Sequence, residues 1–227
     1  LTNSYYPENN ITKEKFIKLK SDWLIKNSNL KLIEDYLLKN QISSKNPELT
    51  KYLVDEYLSK SNVEKSCEIF SNIKDTLEDE YLSKFSIYCL IYTNQIEKAQ
   101  LFLDLKKESG FKDSYFENKI NFLLGYSKEV SNDISEKTIL DFHLSHRTNP
   151  EFKYEPKENT SKLIWRYLSS SNLLSKAQDI EIIDLDKISI IEKATHDKNY
   201  PENELFKLYR NFQFSIDQLL NIKDSSK

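Results

Sequence analysis

The chain has 227 residues, with 33 Lys and Arg against 36 Asp and Glu, a net charge of −3, two glycines and five prolines. Collagen-like and flexible low-complexity chains are excluded, because they carry much more glycine and fewer aromatics than the 12% found here. Two glycines also supply few of the positive-φ turns on which strand-rich folds and phosphate-binding loops depend. Composition therefore predicts an all-helical (all-α) protein.

The charge balance argues against nucleic acid as a partner. The only arginines are Arg147, Arg166 and Arg210, so the bidentate donors that grip phosphates and base edges are scarce. No apolar run approaches the roughly 20 residues that span a bilayer. We therefore expect no nucleic-acid contact and no membrane span in this chain.

A period of 33 residues runs without gaps through the first half of the sequence. One apolar column contains Phe16, Leu49, Leu82 and Tyr115. A second contains Leu24, Tyr57, Leu90 and Leu123. A polar column contains Asp22, Asp55, Tyr88 and Asn121. Alternation of apolar and polar columns at a fixed period indicates structural repeats.

Within each period the apolar residues recur at helical spacing, as Phe16, Leu19 and Trp23 do. The pattern predicts helices over residues 13–27, 30–40, 47–60, 63–74, 77–93, 96–109 and 113–125. N-caps are predicted at Thr12, Asn29, Asn46, Asn62 and Asp113, with Pro47 in a first turn. Gly110 and Gly125 each follow an apolar run and are predicted to end helices. One hairpin cannot bury its apolar stripe alone, so the hairpins are expected to stack into an α-solenoid.

Two second helices begin with a turn followed by an apolar residue, two polar residues and a small one, in Asn62-Val63-Glu64-Lys65-Ser66 and Gln95-Ile96-Glu97-Lys98-Ala99. These starts resemble the tetratricopeptide repeat (TPR), whose unit has about 34 residues. The sequence departs from the family at the small residue of the first helix, where it has Ser21, Val54, Ile87 and Ile120, and it lacks the closing proline. The resemblance implies a divergent, right-handed TPR-like α-solenoid over residues 12–125. The cysteine-bearing helices also resemble uncharacterised exported repeat proteins of alphaproteobacteria.

The period fails beyond residue 125. Further helices are predicted over 135–146, 160–171, 186–197, 202–212 and 215–222, with N-caps at Thr160, Asp186 and Ser215 and with Pro201 at a helix start. We therefore divide the chain into an N-terminal extension (1–11), the TPR-like repeats (12–125) and a helical region that continues or caps the solenoid (126–227).

One local cluster combines Asp141, His143, His146 and Arg147. The two histidines are three residues apart and can share a helix face, as metal ligands do. We favour a structural interpretation, in which one histidine packs in the core and the other satisfies carbonyls at a helix end. The sequence has neither a G-x-S-x-G turn nor a C-x-x-C pair. We therefore expect no enzyme activity, no metal and no cofactor.

The two cysteines, Cys67 and Cys89, fall on neighbouring antiparallel helices of the predicted stack. They suit either a disulfide that joins two repeats or two inert buried thiols, and their distances from the connecting turn are not ideal for a bridge. The chain begins at Leu1 and contains no methionine, so we expect a processed or trimmed product before which a signal peptide can stand. An exported or periplasmic location is favoured, with the cytoplasm as the alternative.

In TPR-like stacks the first helix of each repeat lines a concave groove. The resemblance implies a binding surface at the family's groove positions, which are Lys15, Lys18, Asp22, Glu48, Lys51, Asp55, Tyr81, Lys84, Tyr88 and Asn121. These residues mix charge with tyrosine, which we expect to be exposed and to supply contact area for a peptide or helix of a partner protein. The alternative is a solvated helix face on which the tyrosines lean on their neighbours.

We therefore expect a non-enzymatic interaction or scaffold module. Two alternatives stay open. One is a helical accessory domain of a larger cell-envelope enzyme or complex. The other is a structural subunit that self-associates, with the groove filled by its own terminus or by a second copy.

Overall fold

The structure, a computed structural model, describes residues 11–27, 29–40, 46–71 and 78–212. Within these ranges the chain is helical and has no strand, which confirms the all-α class. It forms two compact units, residues 1–152 and 153–227. No helix among the described residues has the length and apolar character needed to cross a membrane.

The helices of unit 1 are α1 (Lys13–Lys26), α2 (Leu30–Asn40), α3 (Pro47–Ser59), α4 (Val63–Ser71), α5 (Glu80–Tyr92), α6 (Ile96–Glu108), α7 (Ser114–Leu123) and α8 (Ile139–Thr148). The five predicted N-caps, Thr12, Asn29, Asn46, Asn62 and Asp113, are confirmed. Each side chain accepts the backbone N–H three residues later, at 2.9 to 3.3 Å. Gly110 (φ +94°) and Gly125 (φ +80°) follow the ends of α6 and α7 in the left-handed region, as predicted.

The first seven helices pack mainly on sequence neighbours. The hairpins α1/α2, α3/α4 and α5/α6 each pack together, and α1, α3, α5 and α7 contact one another in series. Their shared core includes the fully buried Leu49, Leu53, Phe85 and Phe116. A disulfide joins Cys67 of α4 to Cys89 of α5, with the Cα atoms 5.4 Å apart, within the range that a bridge requires. The expected mismatch of register between these cysteines is therefore not found.

The segment from α7 to α8 is held by side chains of α7. Lys119 is fully buried, and its Nζ donates a hydrogen bond to the carbonyl oxygen of Ser131. Asn118 Oδ1 accepts the Ser131 N–H at 3.1 Å. α8 starts at Ile139 rather than at residue 135, because Thr138 is its N-cap. α8 packs on α3 and α7, so unit 1 extends through Phe152, beyond residue 125 where the sequence period ends.

Unit 2 contains α9 (Lys162–Ser170), a 3₁₀ turn (Ala177–Asp179), α10 (Leu185–His196) and α11 (Glu202–Tyr209). Its core is the cluster of Trp165, Ala177, Ile180, Ile188, Ile191, Ala194, Tyr200 and Leu208.

Pro201 precedes α11 as predicted, but two predicted caps of unit 2 are wrong. Ser161 caps α9, because the Thr160 hydroxyl instead accepts the Lys157 N–H at 2.8 Å. Asp184 caps α10 in place of Asp186. The predicted helix over 215–222 and its cap Ser215 lie outside the described residues.

Candidate functional site

The ten predicted groove residues lie on α1, α3, α5 and α7, and we call the side of these helices that carries them the first-helix face. Their exposure is greatest on α1 and least at the two tyrosines of α5. Those on α1, Lys15, Lys18 and Asp22, are exposed, as is Glu48 at the start of α3. The half-buried members are Lys51, Asp55, Lys84 and Asn121. Tyr81 and Tyr88 of α5 are buried, so the expectation of exposed tyrosines is wrong.

The physical reason is α8, which lies on the first-helix face. It packs against α3 and α7, and its side chains reach α5 between them. Eight of its ten residues are buried. The part of the face that α3, α5 and α7 provide is therefore occupied by a helix of the same chain.

Tyr81 is tied to α3. Its hydroxyl donates a hydrogen bond to Asp55 Oδ1, and Lys51 Nζ lies 4.5 Å from the centroid of its ring. Burial raises the pKa of Asp55 to about 6, against the opposing effects of the Tyr81 hydroxyl and the Lys51 charge. Three of the predicted groove residues thus contact one another within the protein.

Tyr88 is tied to α8. Its Oη lies 2.6 Å from Nε2 of the buried His143, and the two rings meet edge to face with centroids 5.1 Å apart. Burial, with the nearby Arg147 and His146, lowers the pKa of His143 to about 3. Burial also raises the pKa of Tyr88 to about 12. Both groups are therefore neutral near pH 7, which suits a dry contact between helices.

Tyr115 links α7 to α8, and Lys84 links α5 to the start of α7. Tyr115 of α7 places its Oη 2.5 Å from Ser145 Oγ and 3.1 Å from the carbonyl oxygen of Asp141. Sequence reasoning missed Tyr115 because it falls in an apolar column.

Lys84 pairs with Asp113 and with Glu80, and these hydrogen bonds outweigh burial and raise its pKa.

The cluster of Asp141, His143, His146 and Arg147 does not converge on a common point. His143 faces Tyr88, whereas the His146 ring packs on Phe152 with centroids 5.1 Å apart. Across the part of the chain that the structure describes, no three His, Cys, Asp or Glu side chains are placed to hold a metal ion. Asp141 is buried, and burial raises its pKa, which favours its neutral form.

The stretch of the first-helix face on α1 remains open and carries two large apolar side chains. Leu19 is 53% exposed and Trp23 is 42% exposed, one helical turn apart. Lys15, Asp22 and Lys26 are exposed beside them. The apolar spacing of Phe16, Leu19 and Trp23 predicts α1 correctly, but it does not show that Leu19 and Trp23 face outwards, because Ser21 and Leu24 take the buried side.

Unit 2 has a cavity of its own, of about 250 Å³, at the edge of its core. Trp165, Leu174, Ile191 and Tyr200 line its apolar side. At its rim Lys187 Nζ pairs with Glu155 Oε1 at 2.8 Å. The apolar lining of this cavity suits burial of a small apolar group.

Comparisons of the chain with protein-family models, with curated proteins and with solved structures found no match. The functional interpretation therefore depends on the geometry of the residues described above.

Proposed function

We propose that this chain is a non-enzymatic protein–protein interaction module, built as a divergent right-handed TPR-like α-solenoid, that binds a helix of a partner protein on its open α1 surface. This surface consists of Lys15, Lys18, Leu19, Asp22, Trp23 and Lys26 of α1 with Glu48 of α3. The observation that carries the proposal is the exposure of Trp23 and Leu19 on the part of the first-helix face that α1 provides.

The packing of α8 supports a helix as the ligand. The same face of α3, α5 and α7 accommodates α8, a helix of ten residues, through buried apolar side chains and hydrogen bonds from tyrosine hydroxyls. A partner helix on the α1 surface extends this mode of packing by one position along the row of first helices. Large aromatic and leucine side chains that project from such a surface are typical anchors of an interface.

The charges around the two anchors define the partner further. Three exposed lysines, Lys15, Lys18 and Lys26, outnumber the two exposed carboxylates of this surface, Asp22 and Glu48. An amphipathic helix with an apolar stripe and mainly acidic flanks complements them. The disulfide favours an oxidising compartment for this encounter, with the cytoplasm as the alternative.

A photo-crosslinking experiment with a follow-up titration tests the proposal. A photoreactive phenylalanine analogue replaces Trp23, and in a matched protein it replaces the exposed Tyr126, which follows α7. A protein of the source cells captured from position 23 and not from position 126 is then purified and titrated against the wild type, L19A/W23A and Y126A. We expect Kd to rise about 100-fold or more in L19A/W23A, as for loss of two anchors, and to be unchanged in Y126A. An unchanged Kd in L19A/W23A would reject the α1 surface.

A further inference from the structure

The outer side of α6 carries an apolar stripe that the packing of unit 1 leaves uncovered. Leu101 is 59% exposed and Leu105 is 52% exposed, and they lie one turn apart. The buried side of the helix, with Ala99 and Leu103, packs on α5. The two leucines form a contiguous apolar patch on the outside of unit 1, and such patches are candidate contact sites.

Two charged residues complete the stripe. Lys98, Leu101, Leu105 and Glu108 are spaced by three, four and three residues, and all four are exposed. At 3.6 residues per turn they fall within about 80° of one another around the helix axis, on the side opposite Leu103. We call these four residues the α6 seam. Their spacing is that of the positions that meet in a two-helix coiled coil.

The seam is symmetric about its midpoint at Leu103. Leu101 and Leu105 are equally far from that midpoint, and so are Lys98 and Glu108. When a second α6 runs antiparallel across the seam, each Leu101 faces the Leu105 of the second copy and each Lys98 faces its Glu108. A parallel arrangement instead sets lysine against lysine and glutamate against glutamate, which is unfavourable.

We propose that two copies of this protein associate through the α6 seam, antiparallel about a two-fold axis. A two-fold interface uses the same patch on both subunits. The seam is complementary to itself, because leucine meets leucine and lysine meets glutamate. The charge order favours a second copy, because each end of the stripe meets an opposite charge in the antiparallel pair. Lys98 Nζ donates to Gln95 Oε1 at 2.8 Å at the exposed start of α6, so its head lies at the seam's end.

The small size of the seam indicates a weak association. A helix of 13 residues extends about 20 Å, and two leucines per subunit form its apolar centre. Interfaces of this size fall at the weak end of the range for specific contacts, so Kd is expected between about 10 μM and about 1 mM. This dimer does not depend on the binding function proposed for α1, since it uses no residue of that surface.

Sedimentation equilibrium of the purified full chain, over about 10 μM to about 1 mM, tests the proposal. We expect a reversible monomer–dimer equilibrium in the wild type. The charge reversals K98E and E108K should each raise Kd about tenfold, because each symmetric pair then contains two like-charge contacts. The double reversal K98E/E108K restores both opposite-charge contacts and should return Kd to the wild-type value.

Two further variants complete the design. L101D/L105D, at exposed positions, should leave the protein monomeric at all concentrations while its circular dichroism spectrum is unchanged. K112E, a matched charge reversal at an exposed residue after α6, should leave Kd unaltered. A wild type that stays monomeric throughout this range overturns the proposal. So does a dimer that L101D/L105D leaves intact, or a double reversal no better than the single ones.

Discussion

Tyr88 of α5 and His143 of α8 form a buried hydrogen bond across 55 positions of sequence, with 2.6 Å between Oη and Nε2. The pair stays neutral at physiological pH, because burial raises the pKa of the phenol to about 12 and lowers that of the imidazole to about 3. The contact is edge to face as well as polar, so it fixes both the position and the rotation of the histidine ring. It is one of the specific contacts that hold α8 on the first-helix face.

Replacing Tyr88 by phenylalanine tests the worth of this contact. Y88F keeps the ring but removes the hydroxyl from a buried nitrogen, so the free energy of unfolding should fall by about 1 to 2 kcal/mol. Urea denaturation followed by circular dichroism measures the change. Y92F, at an exposed tyrosine one turn further along α5, is the matched control and should shift stability by less than about 0.5 kcal/mol. A loss of unfolding free energy in Y88F as small as that in Y92F would mean that the Tyr88 hydroxyl adds no net stability.

The carboxyl of Asp55 should make stability depend on pH. Its pKa in the folded protein is about 6 against an ordinary value of 3.8, because burial disfavours the charged form. Between pH 3.8 and about 6 the folded state therefore binds more protons at this group than the unfolded state does. The stability that the protonated carboxyl contributes is fully present below pH 3.8 and is lost as the pH rises through about 6. D55N keeps an oxygen acceptor for Tyr81 without the charge. It should gain about 2 to 3 kcal/mol over the wild type at pH 8, and this gain should vanish near pH 4.

The measurement is the difference in unfolding free energy between D55N and the wild type at a series of pH values. A D55N difference that does not vary with pH would contradict a raised pKa at Asp55.

The disulfide between Cys67 and Cys89 should contribute to the stability of unit 1. It closes a loop with a sequence separation of 22 residues, and removing such a cross-link enlarges the entropy of the unfolded chain. We expect C67A/C89A to lose about 3 kcal/mol. A reducing agent should bring the wild type down to the level of this variant and leave the variant itself unaffected. Two titratable thiols in unfolded, unreduced protein would show that the bond is not formed.

Lys119 should stabilise unit 1 chiefly through the volume of its buried stem. The side chain is fully buried, and its Nζ lies 5.3 Å from the centroid of the Tyr115 ring. Burial lowers its pKa. K119A leaves a cavity and should cost about 3 kcal/mol, whereas K119M refills most of it and should cost about 1 kcal/mol. Both variants should speed hydrogen exchange around Ser131, whose carbonyl loses its donor. If K119M costs as much as K119A, the cation rather than the packing is responsible.

Much of the fold can be predicted from local signals. Thr12, Asn46 and Asp113 occur where an apolar period begins, and a cap needs only a short polar side chain and the N–H three residues on. The glycines are equally local, because a left-handed residue after a helix strongly favours glycine. The predictions of caps at Thr160 and Asp186 are wrong because a second residue suited to capping lies within two positions of each. Ser161 and Asp184 take the role instead.

The candidate site depends on tertiary structure and is therefore less predictable. Tyr81 and Tyr88 occupy groove positions, and the sequence pattern contains no sign that a later helix will cover them. α8 lies outside the 33-residue period, so no column relates Tyr88 to His143 before the chain is folded. The exposure of Leu19 and Trp23 is hidden for a related reason, because apolar spacing identifies a helix face without identifying what lies opposite it.

The placement of α8 also has a consequence for how unit 1 opens. In an array whose repeats contact only their neighbours, segments can unfold one after another, so their amides exchange with solvent at different free energies. α8 contacts both α3 and α7, which lie at separate points of the chain, and its His143 reaches α5 between them. None of these helices can detach without exposing the buried side of α8. We therefore expect their slowest amides to share a single opening free energy in hydrogen exchange, as one cooperative unit.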